Sequence, residues 1–277
     1  MTEAIAAGDL QLLRFSSRVF DGTRWLRVLL PPGYADGAAR GRRYPVLYLN
    51  DGQNLFDPTT AFGHVDWRVD ETVRALVAQR EIPPLIVVGI DHGGRRRARE
   101  YVPWKSRDLP IRVPEGGKYP VFLTHEVMPY VNARFRTRKG PGNTGLGGSS
   151  LGAAIALYTA IARPGVFGRL LVESPSLFLA DRQLLRESET CRRWPRRVFL
   201  SVGTKEAGRP EASARMVADV RELERVLRDR GLGDDRLLTV VEEGATHGEE
   251  AWARRLPLAL RFLYGARRPA GSAAVAG

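Results

Sequence analysis

Eight short apolar or β-rich runs alternate with helical patterns along the chain, and this alternation limits the possible folds more than any other feature. The runs cover residues 12–20, 24–30, 44–49, 85–90, a weak one at 144–147, 169–172, 197–202 and 237–241. Strand-like and helix-like segments in strict alternation are the pattern of a sheet flanked by helices. Only Asp21, Gly22 and Thr23 separate the first two runs, so these should form an antiparallel hairpin. The later runs are far enough apart for crossover helices, which parallel neighbours require. The expectation is a mostly parallel eight-stranded sheet, with an N-terminal antiparallel hairpin and helices on both faces.

Three helices stand out. Met216, Val220, Leu223 and Leu227 recur at three- and four-residue spacing, with Gly231 as the stop. Trp252, Leu256, Leu260 and Leu263 form a second stripe. Residues 151–162 are apolar on nearly every side and end at Pro164 and Gly165, as a helix buried against a sheet would. One domain over residues 1–264 accounts for these elements, and the aperiodic residues 265–277 read as a tail. Only Ser174 to Arg196 separates the sixth run from the seventh, too little for a large cap domain in that connection.

Composition excludes several classes. Cys191 is the single cysteine of the chain, which argues against a disulfide scaffold or a cysteine zinc site and suits a cytoplasmic protein. No apolar stretch approaches the ~20 residues of a membrane span. The net charge of +12 invites a nucleic-acid reading. However, the basic residues fall in short scattered runs (Arg95, Arg96, Arg97 and Arg99; Arg134, Arg136, Arg138 and Lys139; Arg192, Arg193, Arg196 and Arg197) without aromatic interleaving or a groove-binding motif. They read as solvated surface, and no nucleic-acid or membrane partner is expected.

The stretch Gly145-Leu-Gly-Gly-Ser-Ser-Leu-Gly152 contains G-x-S-x-G in one frame, Gly148, Ser150 and Gly152, and that frame selects Ser150 over Ser149. A nucleophile on a tight strand-to-helix turn needs small flanking residues, because larger ones would collide with neighbouring backbone. A strand precedes this motif and an apolar helix follows it. Upstream, residues 140–145 match G-x-G-x-x-G, but they follow a basic run and open onto more glycine, so a dinucleotide site is not expected.

A nucleophilic serine requires a base and an orienting acid, which in such folds follow it in the order serine, acid, histidine at the ends of later strands. Of the four histidines, His64, His92 and His125 precede the serine. His247 follows the last run, and Glu206 follows the one before it. Glu173, after the sixth run, is the competing acid, with lining the pocket or bracing its loop as its other readings. Two backbone amides should form the oxyanion hole, those of Leu151 and Gln53, the latter in the loop after the third run. Asp51 and Asn54 of the same loop, with Glu173, are candidate substrate contacts.

With these residues in view, the chain resembles the putative-esterase family of α/β-hydrolases, which includes enterochelin, feruloyl and acetylxylan esterases, S-formylglutathione hydrolases and mycolyl transferases. The resemblance spans residues 28–263. Its pieces include Leu30-Pro-Pro-Gly-Tyr34, the segment 44–56 with Asn50-Asp-Gly-Gln-Asn54, Arg99-Glu-Tyr101, the serine motif, Glu173-Ser-Pro-Ser176, Val202-Gly-Thr-Lys-Glu206, and Thr246-His247 ahead of Trp252. It implies an α/β-hydrolase fold, Ser150 as nucleophile, Glu206 as acid, His247 as base, and oxyanion amides near Gln53 and Leu151. The family often has His-Gly where this chain has Asp51-Gly52, and a second glycine where it has Ala153.

These observations point to hydrolysis of a small-molecule carboxylic ester through an acyl-enzyme, without a metal or organic cofactor. A bulky siderophore-lactone or polyphenol-type ester suits an uncapped site. An acyl transferase with the same triad, and a non-catalytic binding protein on the same scaffold, are the competing readings.

Overall fold

The computed structural model describes residues 4–7, 9–36 and 40–266, so nearly all of the expected tail lies outside the described residues. The strands are β1 (Ala4–Ala7), β2 (Leu10–Ser17), β3 (Gly22–Leu29), β4 (Val46–Asn50), β5 (Ile86–Ile90), β6 (Thr144–Ser149), β7 (Arg169–Glu173), β8 (Arg197–Lys205) and β9 (Leu237–Thr246). They form one sheet in the order β1-β2-β3-β5-β4-β6-β7-β8-β9. Strands β4 to β9 are parallel, and β1, β2 and β3 pair antiparallel at one edge.

The eight expected runs all become strands, with β1 added at the edge. β1 pairs with β2 from Ala4 opposite Leu13 to Ala7 opposite Leu10, and a four-residue, alanine-rich segment carries no alternation to mark it. The hairpin turn lies earlier than the glycine suggests, because Gly22 is already paired with Ser17. A carboxylate from across the fold sets that turn. Glu126 accepts from Ser17 Oγ at 2.6 Å and from the amides of Arg18 and Val19 at 2.9 and 3.1 Å.

Helices α1 (Val69–Ala78), α2 (Arg97–Tyr101), α3 (Tyr119–Val121), α4 (Met128–Arg134), α5 (Leu151–Ala162), α6 (Leu179–Thr190), α7 (Pro210–Asp229) and α8 (Glu249–Tyr264) surround the sheet. A π-helical segment, Phe122–Val127, joins α3 to α4 and carries His125. The β7–β8 connection holds only α6, so no large cap stands there.

The period-2 geometry of the strands divides the core between the two faces. Val46 and Tyr48 of β4, Leu170 and Val172 of β7 and Val198 and Leu200 of β8 face one layer, with Ala153 and Leu157 of α5 and Val220 and Leu223 of α7. Leu47 and Leu49, Leu171 and Phe199 face the other, against Val73 and Leu76 of α1 and Leu256 and Leu260 of α8. Both layers are dry, which explains why the central strands read as nearly continuous apolar runs. The carboxyl ends of β4 to β9 then meet along one edge, where such folds place their ligands.

Candidate active site

Ser150 follows directly on β6 and caps α5, with φ 56° and ψ −125°. This is a costly conformation for a residue with a side chain, and such strain is retained where the surrounding structure over-determines it. Here it is held from both sides. Ser150 N–H donates to Glu173 O at 3.0 Å, and Ser150 O accepts from the amides of Ala154 and Ser176 at 3.0 and 3.3 Å. The flanking glycines are steric requirements. A Cβ on Gly148 would lie 2.8 Å from the carbonyl carbon of Gly152, and one on Gly152 would lie 2.6 Å from Asp51 Oδ2.

Glu206 and His247 meet because of how the last two strands end. β8 and β9 shift register near Gly203, so that Lys205 pairs with Thr246. The next residue on each strand therefore leaves the sheet beside the other. His247 Nδ1 is hydrogen-bonded to Glu206 Oε2. Glu206 Oε1 accepts from Ser174 Oγ at 2.6 Å and from the Gly203 amide at 2.5 Å. Burial opposes ionisation of Glu206, but the bonds from His247, Ser174 and Gly203 outweigh it and hold the carboxyl below its ordinary range. Trp252 stands edge-on to the His247 ring, with centroids 5.1 Å apart, and donates from Nε1 to Ser174 Oγ at 2.9 Å. The imidazole is thus fixed on two sides.

A cleft of about 310 Å3 opens here, lined by Ser149, Ser150, His247 and Trp252 together with Asn54, Phe62, His92, Arg97 and Glu249. Ser150 Oγ lies 3.5 Å from Ser176 Oγ. With Nδ1 engaged by Glu206, Nε2 is the nitrogen of His247 left to receive a proton. Serine–histidine bonds often tighten only when substrate binds.

The loop after β4 packs against the start of α5, where Asn50 Nδ2 donates to Gly152 O at 2.7 Å. Gln53 lies in the 3-10 turn Gly52–Asn54, and Leu151 is the first residue of α5. Their amides therefore belong to the two elements that border Ser150. Asn54 is on the cleft wall. Two other candidate contacts are displaced. Asp51 is buried and paired with Arg97 through bonds of 2.7 and 2.8 Å, which commits both carboxylate oxygens. Glu173 is 0% exposed and bonded to Arg255 Nε at 2.9 Å and to Ser201 Oγ, so it braces β7 beneath the cleft and does not line it.

Several cleft residues escaped the sequence reading. His92 was set aside because it precedes the serine, yet it follows β5 at the same sheet edge. Position after a strand end was the usable signal. Its Nδ1 accepts from the Gly94 amide at 2.9 Å, which puts the proton of the neutral ring on Nε2. Burial pushes this imidazole below its ordinary value, with the Asp51 and Arg97 charges acting in opposite senses. Arg97, one of the scattered basic residues expected at the solvated surface, is instead brought into the wall by its pairing with Asp51. Among the described residues no group of three histidine, cysteine or acidic side chains is arranged to hold a metal ion. No helix among them is long and apolar enough to cross a membrane.

Comparison with known proteins bears on the family and the fold. A family model described as "Putative esterase" matches residues 17–263. The uncharacterized protein YbbA of Bacillus subtilis is 25% identical over 252 residues, covering 89% of this chain and 95% of its own. The siderophore hydrolase EstA from Aspergillus nidulans superposes with a TM-score of 0.74 at 22% identity, over 92% of this chain and 95% of that one. The BES protein from Bacillus cereus superposes with a TM-score of 0.73 at 22% identity, over 95% and 98% of the two chains. These likenesses show the α/β-hydrolase fold.

Proposed function

The chain belongs to the putative esterase family of serine ester hydrolases, and on that premise we propose that it cleaves a carboxylic ester through a Ser150–His247–Glu206 triad. Ser150 Oγ attacks the ester carbonyl carbon while His247 Nε2 takes the serine proton. The amides of Gln53 and Leu151 receive the negative charge that develops on the carbonyl oxygen. As the tetrahedral species collapses, the imidazolium returns the proton to the departing alcohol and leaves an acyl-Ser150 ester. Water, deprotonated by the same imidazole, then releases the acid. Glu206 holds the ring in the tautomer this sequence needs and stabilises the imidazolium as it forms.

The observation that carries this reading is the Glu206–His247 hydrogen bond, facing the same cleft as a serine held in a strained strand-to-helix turn. The proposed substrate is a bulky ester of the siderophore-lactone or polyphenol type. In support, no cap domain is inserted between β7 and β8, Trp252 lines the cleft, and Phe62 is 79% exposed at its wall. The siderophore hydrolase among the structural neighbours points the same way.

A panel of chromogenic acyl esters, run beside a serine-reactive phosphonate and with added acceptor alcohols, tests the proposal. Turnover and labelling that both vanish in Ser150→Ala are expected, with release of free acid exceeding transfer. Transfer to the alcohol as the main outcome would reassign the protein as an acyl transferase, and labelling of no residue would remove the serine mechanism.

A further inference from the structure

Asn54 has each of its polar groups engaged, and its partners come from three parts of the chain. Its amide donates to Asp51 O at 2.9 Å, and its carbonyl accepts from the Trp67 amide at 2.9 Å. Its side-chain Oδ1 accepts from the Phe62 amide at 3.1 Å, and Nδ2 donates to Glu249 Oε1 at 3.0 Å. The last of these bonds joins residues 195 positions apart. Glu249 is the first residue of α8, two positions after His247, and is 8% exposed on the wall of the Ser150 cleft.

We infer that the Asn54–Glu249 hydrogen bond is a positioning link that holds the Gly52–Asn54 turn, and with it the Gln53 amide, in register with the segment carrying His247. The inference rests on the serine-hydrolase reading above. The front of the turn is fixed independently, through Asn50 to Gly152 O and through Asp51 to Arg97. The rear is fixed to the base-bearing segment by Asn54 alone among its side chains that reach α8. Without that bond, the rear of the turn keeps its bonds to Phe62, Trp67 and Thr60 but loses its tie to the segment that carries His247. Misplacement by about 1 Å in a preorganised site costs on the order of 10²-fold in rate, and an oxyanion donor acts on the transition state more than on bound substrate. Neither residue touches the reacting atoms in this scheme.

The test uses the full chain with Glu249→Ala, Glu249→Gln and Asn54→Asp, plus Ser150→Ala as reference. For each, kcat and KM on one chromogenic ester, the rate of phosphonate labelling and the melting temperature are measured between pH 6 and 8. Glu249→Ala is expected to lose roughly 10- to 100-fold in kcat and in labelling rate, with KM within about twofold. Glu249→Gln keeps an acceptor for Nδ2 and is expected to recover most of that loss. Asn54→Asp keeps the acceptor for Phe62 but sets a second carboxylate against Glu249. Two such carboxylates share a proton, so the deficit relative to wild type should shrink as pH falls from 8 to 6. Burial and, after it, the Asp51 charge oppose ionisation of Glu249, and the His247 and Arg97 charges favour it; these surroundings are common to wild type and variant. A purely structural defect would show no such recovery.

Wild-type kcat in Glu249→Ala, a KM increase at unchanged kcat, equal losses in the Ala and Gln variants, or a pH-independent deficit in Asn54→Asp would each overturn the link. These outcomes leave the proposed function standing as long as Ser150→Ala is inert and unlabelled. Turnover by Ser150→Ala would instead overturn the proposed function.

Discussion

At the scale of single residues, two adjacent serines and two buried glutamates have separable roles. Ser149 ends β6 and Ser150 begins the turn, so intact-mass labelling with a phosphonate should fail in Ser150→Ala and persist in Ser149→Ala. Label retained on Ser150→Ala would show the nucleophile is elsewhere. The glutamates differ in what they hold. Glu206 is hydrogen-bonded to His247, and in the proposed scheme it orients that ring, so Glu206→Gln is expected to lose turnover, up to ~10⁴-fold if the imidazole takes the wrong tautomer, with melting little changed. Glu173 is fully buried against Arg255 at 2.9 Å; removing one partner of a buried pair typically costs about 3–5 kcal/mol when the other charge is stranded, a cost eased here by the 2.7 Å bond that Arg255 keeps to Glu242. Glu173→Gln should therefore lower the melting temperature and leave the turnover of folded protein within a few-fold. Measuring kcat and thermal unfolding on both variants checks the assignment, and the reverse pattern would exchange the two roles.

At the scale of elements, the candidate site depends on junctions between elements. The β6–α5 turn depends on Gly148, which lets the Gly152 backbone approach, and on Gly152, which leaves room for the Asn50 and Asp51 side chains. Gly148→Ala places a methyl group 2.8 Å from the Gly152 carbonyl carbon and 3.1 Å from Asn50 Cβ. Relief would move both Ser150 and the loop after β4, so a loss of kcat accompanied by a lower melting temperature is expected. Leu260→Ala, in the middle of α8 and fully buried, is the contrasting case. It should cost about 2–5 kcal/mol in denaturant unfolding while sparing kcat of the folded enzyme. Equal kcat losses in the two variants would mean that turnover follows global stability and that the turn has no special part.

At the scale of the whole molecule, Glu206 links the candidate site to stability. Its carboxyl is held below the ordinary value in the folded state, while an unfolded glutamate titrates near ~4.3. Its contribution is therefore fully present above that unfolded value and is lost as pH falls through the lower folded one. Urea unfolding across acidic pH should show a stability loss at the acid end that flattens in Glu206→Gln; an unchanged slope would remove this linkage. Glu249 has the opposite sign, since burial raises its carboxyl, so folding favours its protonated form and its ionised form is the less stable one at higher pH. Charge overall was legible only in part. The net +12 was plain, but residues read as surface include Arg97, and Arg24, Arg27 and Arg255 are buried in ion pairs with Glu100, Asp91 and Glu173. The sequence by itself determined the layered fold, because alternation of strand and helix periods and the short β2–β3 connection are local properties of the chain. It also narrowed the candidate nucleophile and base to Ser150 and His247 and the acid to Glu206 or Glu173, since each follows a strand end in a required order. What only tertiary structure decided is which polar groups meet. Glu206 faces His247 because β8 and β9 shift register, Glu173 is claimed by a helix more than eighty residues later, and Asn54 reaches Glu249 from the far side of the chain. Contacts of this kind leave no periodicity in a sequence, because they arise from packing between elements and from no property of either segment alone.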